Sequence, residues 1–317
     1  MSAIRRAAVG QRHSGPGRGA VDTRRGFTLI ELLVISVLTA IVLAGLTTTL
    51  VRQQRFYRGT AEIIDTRAQI RQAAGILPMD LRGMSTAGGD LLEISDSAMV
   101  FRATIGSSVI CFRAGTAMVV PPATLASGNT LTTWSLEPGP GDTAFVYDDW
   151  DSPAATDDRW QAYGITQAVS TVVNTNCLNA GLTTSSDAQP NYSFALSENV
   201  TPTIVVGAPV RFVRTTRYSL YKAADNNWYL GYCAPACGAG GPQALAGPFL
   251  AYGSGAGTGV RFTYLREDGS VTADPAKVAQ VRVMVRAQTQ GPVSFTGAAQ
   301  QVVGDSLAFT VAIRNRR

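Results

Sequence analysis

The sequence predicts an α+β protein in which one long N-terminal helix, apolar first and amphipathic later, packs on an antiparallel β-sheet domain. Three observations carry this. Residues 27–51 read FTLIELLVISVLTAIVLAGLTTTLV, with one charge and no proline. Residues 56–81 then repeat apolar side chains at helical spacing. Beyond residue 97 the chain breaks into short β-type runs separated by turn-forming residues.

The first run has twenty-five residues, against the about 20 that cross a bilayer as helix. Leu, Ile, Val and Ala dominate it, so intrahelical bonds can satisfy its backbone in lipid. Its exception is Glu31. An unpaired carboxylate inside an apolar run costs roughly 2.5 kcal/mol or more and calls for a partner.

In the second run Phe56, Ile63, Ile70 and Leu77 recur every seven residues, with Thr60, Ala74 and Leu81 between them, and Pro78 is expected to interrupt the pattern. Arg67 breaks the stripe, which argues for a helix packed on a domain rather than a coiled coil. A continuous helix over residues 27–77 would reach roughly 75 Å, with Gly59 and Gly75 as places to bend.

Strands are expected at 99–105, 109–113, 131–136, 144–148, 210–222, 228–233, 260–265, 280–286 and 307–313. Residues 223–227, AADNN, supply a hairpin turn, and Arg266-Glu267-Asp268-Gly269 supplies another. The V-R-V-M-V run alternates with period two and would turn Val281, Val283 and Val285 toward the core.

Composition narrows the function. The net charge is +5, yet six of the 27 basic residues and one of the 22 acidic ones lie in residues 1–26, leaving twenty-one of each beyond. A formally neutral remainder has no surplus for a large phosphate-binding face, so nucleic-acid binding is not expected. The single histidine, His13, also lies in that basic segment. Triads, Cys-His dyads and zinc sites that need histidine therefore cannot form within residues 27–317. G-x-S-x-G, G-K-[ST] and H-E-x-x-H are missing as well. The reading is a non-enzyme with no cofactor.

The run Arg24-Arg25-Gly26-Phe27-Thr28-Leu29-Ile30-Glu31-Leu32-Leu33-Val34 resembles the prepilin signal of type IV pilins and type II secretion pseudopilins. The resemblance implies a pilin-like fold and cleavage after Gly26 by a prepilin peptidase, which would also methylate Phe27. Glu31, then the fifth residue, would pair with the N-terminal ammonium of a neighbouring subunit during assembly. Thr48 stands where major pilins often carry a kinking proline. The same residues resemble a twin-arginine export signal, but Glu31 inside the apolar run and the lack of an A-x-A site count against it.

The resemblance implies a leader at 1–26, a transmembrane helix at 27–51, its amphipathic continuation at 52–84 and an extracytoplasmic β-rich domain at 85–317. Partners would be the peptidase, other pilin or pseudopilin subunits and an inner-membrane assembly platform. The protein would sit in the bacterial inner membrane with a single pass, its C-terminal domain in the periplasm or outside, and assemble into a cell-surface or periplasmic filament. Initiation at Val21 would shorten a leader that is long for this family. The order of elements and the late V-R-V-M-V-R strand further resemble W-type minor pilins and J-type pseudopilins. The function expected is a minor pilin or pseudopilin that primes, caps or decorates a filament; the alternative is a membrane-anchored extracytoplasmic binding protein.

On that side of the membrane disulfides persist. Cys111, Cys177, Cys233 and Cys237 permit two bridges in three connectivities. The preferred pairing is Cys233 with Cys237, which close a short loop at a strand end, and Cys111 with Cys177. Asp148, Asp149, Asp151, Asp157 and Asp158 are weak calcium candidates. They lack the glycine turn and closing glutamate of an EF-hand, so a solvated acidic loop is preferred and no metal is assigned. Gly253, Gly255, Gly257 and Gly259 precede a strand instead of opening a helix, which argues for a flexible linker over a phosphate loop.

Overall fold

A computed structural model of the chain describes residues 26–86, 88–149, 158–187, 189–234, 237, 241–253, 257–293 and 300–313. The chain forms two compact units, Met1–Gln54 and Arg55–Arg317. The long helix Leu29–Arg82 contributes to both.

In the first unit the described helix is exposed along its whole length, and it is long and apolar enough to cross a membrane. Four of its hydroxyls are turned back onto the helix backbone. Ser36 donates to the Leu33 carbonyl at 2.8 Å, and Thr47, Thr48 and Thr49 donate to the carbonyls of Leu43, Ala44 and Gly45 at 2.7, 2.8 and 3.0 Å. Backbone oxygens thus satisfy groups that lipid cannot.

In the second unit the helix packs with antiparallel sheets, completing the α+β architecture. Ile70, Ala73, Leu77 and Leu81 form its buried face, at the i, i+3 and i+4 steps that share one side of a helix. The stripe therefore passes through Ala73, whereas Ala74 is half-buried and Phe56 is exposed. Pro78 does not end the helix, which continues to Arg82. Proline removes one intrahelical bond near the C-terminus, while burial of Leu77 and Leu81 and a 2.6 Å bond from the Tyr218 hydroxyl to Asp80 hold the last turn in place. Burial first, and Asp80 second, push the Tyr218 hydroxyl pKa far upward, so it remains a donor.

Among the described residues there are three sheets, of eight, three and four strands. The central strand of the first, Pro209–Lys222, pairs with Ala98–Val109 along one edge and with Trp228–Cys233 and Thr143–Asp148 along the other. Its two ends serve different cores. Tyr218 and Leu220 join the helix residues, Phe101 and Phe262 in the first core, whereas Val210 and Phe212 join Ile105, Met118, Val146, Tyr163 and Phe194 in the second. The three-stranded sheet, Val260–Leu265, Gln280–Gln288 and Gly304–Ala312, places Val281, Val283 and Val285 in the first core. The four-stranded sheet is built from Phe112–Ala114, Ala117–Val120, Ser170–Val172 and Asn191–Ala195.

Several boundaries differ from the pattern-based expectation. The first two expected strands are replaced by a continuous Ala98–Val109 and a short Phe112–Ala114, and the run at 131–136 keeps only Thr133–Trp134 as strand. The strand Gln243–Phe249 went unread because it contains Gly247 and Pro248. Its place at the sheet border explains the tolerance, since an edge strand can lose a backbone donor.

Leu77 is fully buried in the helix–sheet core. Leu77→Ala is expected to destabilise the folded chain by about 2–5 kcal/mol, read as a lower urea midpoint with little change in slope. A loss below about 0.5 kcal/mol would place the helix off the sheet.

Candidate functional site

The residues singled out by their sequence context lie in the first unit. Gly26, Phe27 and Thr28 precede the helix and are exposed, Phe27 at 74 %. Leu29 is the first helical residue, and the Thr28 side-chain oxygen accepts from the Glu31 N–H at 3.3 Å. Thr28 thus acts as N-cap, satisfying a backbone donor that the helix itself leaves open. Sequence reading overlooked this role although T-x-x-E before an apolar run is the signature of a capping box.

Glu31 lies in the first turn, where the partial positive charge of the helix N-terminus favours a carboxylate. None of the ion pairs among the described residues includes it. The arrangement presents an exposed non-helical peptide, a capped helix start, one acceptor group in the first turn and an apolar surface behind it. Such a surface can exchange lipid for other apolar helices, and the carboxylate can accept from a cation brought beside it. Arg24, Arg25, Val21 and the remainder of the expected leader up to residue 25 lie outside the described residues.

The other candidates occupy the second unit. Cys111 is joined to Cys177, with their Cα atoms 4.7 Å apart, and Cys233 to Cys237 at 4.9 Å. The first bridge ties the strand-end residue Cys111 to the short helix Thr175–Asn179. Nearby, Asp187 takes N–H donors from Ala126 and Thr184, which hold its carboxyl below the usual range.

The acidic residues do not form one solvated loop. Asp148 is wholly buried and accepts from Arg159 at 3.3 Å and from Gln161, so a cation of this chain already faces it. Asp158 accepts from the Tyr147 hydroxyl at 2.5 Å. Asp149 lies next to the strand end, while Asp151 and Asp157 are outside the described residues. No group of three or more metal-binding side chains occurs among those described.

The glycine segment is likewise more constrained than a linker. A Cβ at Gly259 would stand 2.2 Å from the Leu250 carbonyl oxygen, and one at Gly257, where φ is +107°, 2.6 Å from the Arg286 guanidinium. Close approach of the Leu250 backbone at Gly259, and a positive φ at Gly257, account for these two glycines. Gly253 takes a positive φ of 71°, and Gly255 lies outside the described residues.

No curated protein and no solved structure matches the chain. Residues 22–47 match a family model described as the prokaryotic N-terminal methylation motif. The match spans Gly26, Phe27, Thr28 and Glu31, and it indicates a type IV pilin-like or pseudopilin-like protein whose start implies processing by a prepilin peptidase and assembly with other pilins.

Proposed function

We propose that the chain is a minor pilin or pseudopilin, a non-catalytic subunit that primes, caps or decorates a type IV pilus or type II secretion filament. One observation carries the reading: the methylation motif opens an exposed apolar helix whose described membrane-length portion holds one acidic side chain. In this reading the leader is cut between Gly26 and Phe27, and Phe27 is methylated. The helix Leu29–Arg82 anchors the stored subunit in the inner membrane through its apolar first half, with the sheet domain on the outer side. An assembly platform then moves the subunit into the filament as neighbouring helices replace lipid.

The pairing of Glu31 follows from electrostatics. A terminal ammonium and a carboxylate are each costly among apolar helices, and together they cancel. Thr28 remains in place after cleavage, so the capped helix start survives in the mature chain.

Intact mass and N-terminal peptide analysis of membrane-derived protein are expected to find N-methylated Phe27 as the first residue. A terminus beyond residue 44 would show ordinary signal-peptidase processing and overturn the reading. Co-purification with other pilin subunits is expected from sheared filaments. Recovery of the processed chain only as an isolated membrane protein would favour the anchored binding protein instead.

A further inference from the structure

The C-terminal strand Gly304–Ala312 is a nine-residue border of the three-stranded sheet, paired residue for residue with Gln280–Gln288 and without a bulge. Hydrogen bonds flanking this ladder set its phase. Thr289 N–H donates to Val303 O at 2.9 Å and Ile313 N–H to Ala279 O at 3.0 Å, so odd-numbered residues bond inward and even-numbered ones point their N–H and C=O outward. Ser306 N–H is taken by the Asp305 carboxylate at 2.8 Å. Ala308, Thr310 and Ala312 present outward backbone groups with no partner among the described residues.

Two other borders are treated differently. Along Gln243–Phe249, Gly247 N–H donates to Gln69 and the Leu245 carbonyl accepts from Gln72, at 3.0 and 2.8 Å. Along Val260–Leu265, Phe262 N–H donates to the Asp96 carbonyl at 2.7 Å and the Tyr264 carbonyl accepts from Thr272 at 2.9 Å. A long open edge with neither proline nor lysine is an invitation to another strand.

The two faces beside this edge say what that strand would carry. On the outer face Arg282 lies opposite Thr310, Met284 opposite Ala308 and Arg286 opposite Ser306, with Arg261 next to Met284 on the third strand. Arg261 and Arg282 are exposed, Arg286 donates to the Thr258 carbonyl at 3.3 Å, and none of the three belongs to an ion pair among the described residues. On the core face the edge leaves Leu307 36 % exposed and Phe309 half-buried. An added strand alternates its side chains between these faces, with Arg282 reaching across Thr310 on one and apolar surface on the other.

We propose that the outer edge of Gly304–Ala312 receives, by strand addition, an extended segment of another protein that alternates acidic and apolar side chains. Main-chain bonds to Ala308, Thr310 and Ala312 supply the attachment, and Arg282, on the strand next to the edge, selects the charge. A second copy of this strand is a poorer occupant, because it brings Thr310, Ala308 and Ser306 rather than carboxylates to the arginine face. The proposal stands apart from the filament assignment, since it uses no residue of the N-terminal unit.

The test uses the full chain in detergent and two capped nine-residue peptides, one alternating Glu with Val and one alternating Lys with Val. The Glu peptide is expected to bind at least tenfold more tightly and to protect the amides of Ala308, Thr310 and Ala312 from hydrogen exchange. Thr310→Pro, which removes an outward donor and no ladder bond, should weaken binding tenfold or more, while Thr310→Val, which keeps the donor, should not. Arg282→Glu should abolish the preference for the Glu peptide, and it decides the question should Thr310→Pro fail to fold. Equal binding of both peptides, or binding without protection of those amides, would overturn the proposal. So would concentration-dependent dimerisation of the chain that is lost in Thr310→Pro, which would assign the edge to self-pairing.

Discussion

Glu31→Ala and Glu31→Lys chains are expected to reach the membrane at normal levels and to be depleted from sheared filaments. Alanine suits an apolar helix better than a carboxylate does, so insertion does not suffer. In the proposed pairing it removes the countercharge from a neighbour's terminal ammonium, and an unpaired charge at membrane depth costs roughly 2.5 kcal/mol or more. About 1.4 kcal/mol is a tenfold change in a population, so incorporation should fall at least tenfold. Lysine should be worse, because it sets two cations together where screening is weak. Leader removal should persist in the alanine variant, whose proposed cut site at Gly26 is unchanged. Quantitative immunoblots of sheared filaments and membranes would check this; wild-type incorporation of Glu31→Ala would refute the pairing role.

Asp142→Ala is expected to be among the most destabilising substitutions in the second unit. The Asp142 carboxylate is buried and takes Nε and Nη2 of Arg214, each at 2.6 Å, together with the Gly139 N–H at 2.8 Å. Removing it leaves a largely buried guanidinium without its countercharge and a turn N–H without its acceptor. Breaking one partner of such a pair costs about 3–5 kcal/mol. Arg67→Ala provides the contrast, since Arg67 and Asp305 pair at 2.9 Å with both side chains substantially exposed, and pairs of that kind contribute about 0–1 kcal/mol. Urea denaturation of the full chain in detergent would rank the two. A loss below 1 kcal/mol for Asp142→Ala would show that the sheet relaxes to solvate Arg214.

Much of the N-terminal unit was legible because its signals are local. A proline-free apolar run, one glutamate at a set distance from a glycine, and T-x-x-E at the helix start are all readable within a few turns of chain. The T-x-x-E signal was present and overlooked. The strands at 210–222, 228–233 and 260–265 were also legible, because β-branched and aromatic residues concentrate there between turn residues.

Residues 165–208 were the least legible. Strands such as Asn191–Ala195 and Ser170–Val172 are short and polar, and they owe their conformation to partners far along the chain rather than to their own propensity. The sequence by itself determined the α+β class, the helix and the motif at its start, because helix periodicity and a linear processing signal depend on near neighbours. Only the tertiary structure decided that Pro78 stays helical, that Asp148 faces Arg159 and Gln161, that Gly257 and Gly259 pack closely, and that the edge at Gly304–Ala312 stays open. Each of these depends on which distant group lies across a few ångströms of space, and sequence spacing does not encode that distance.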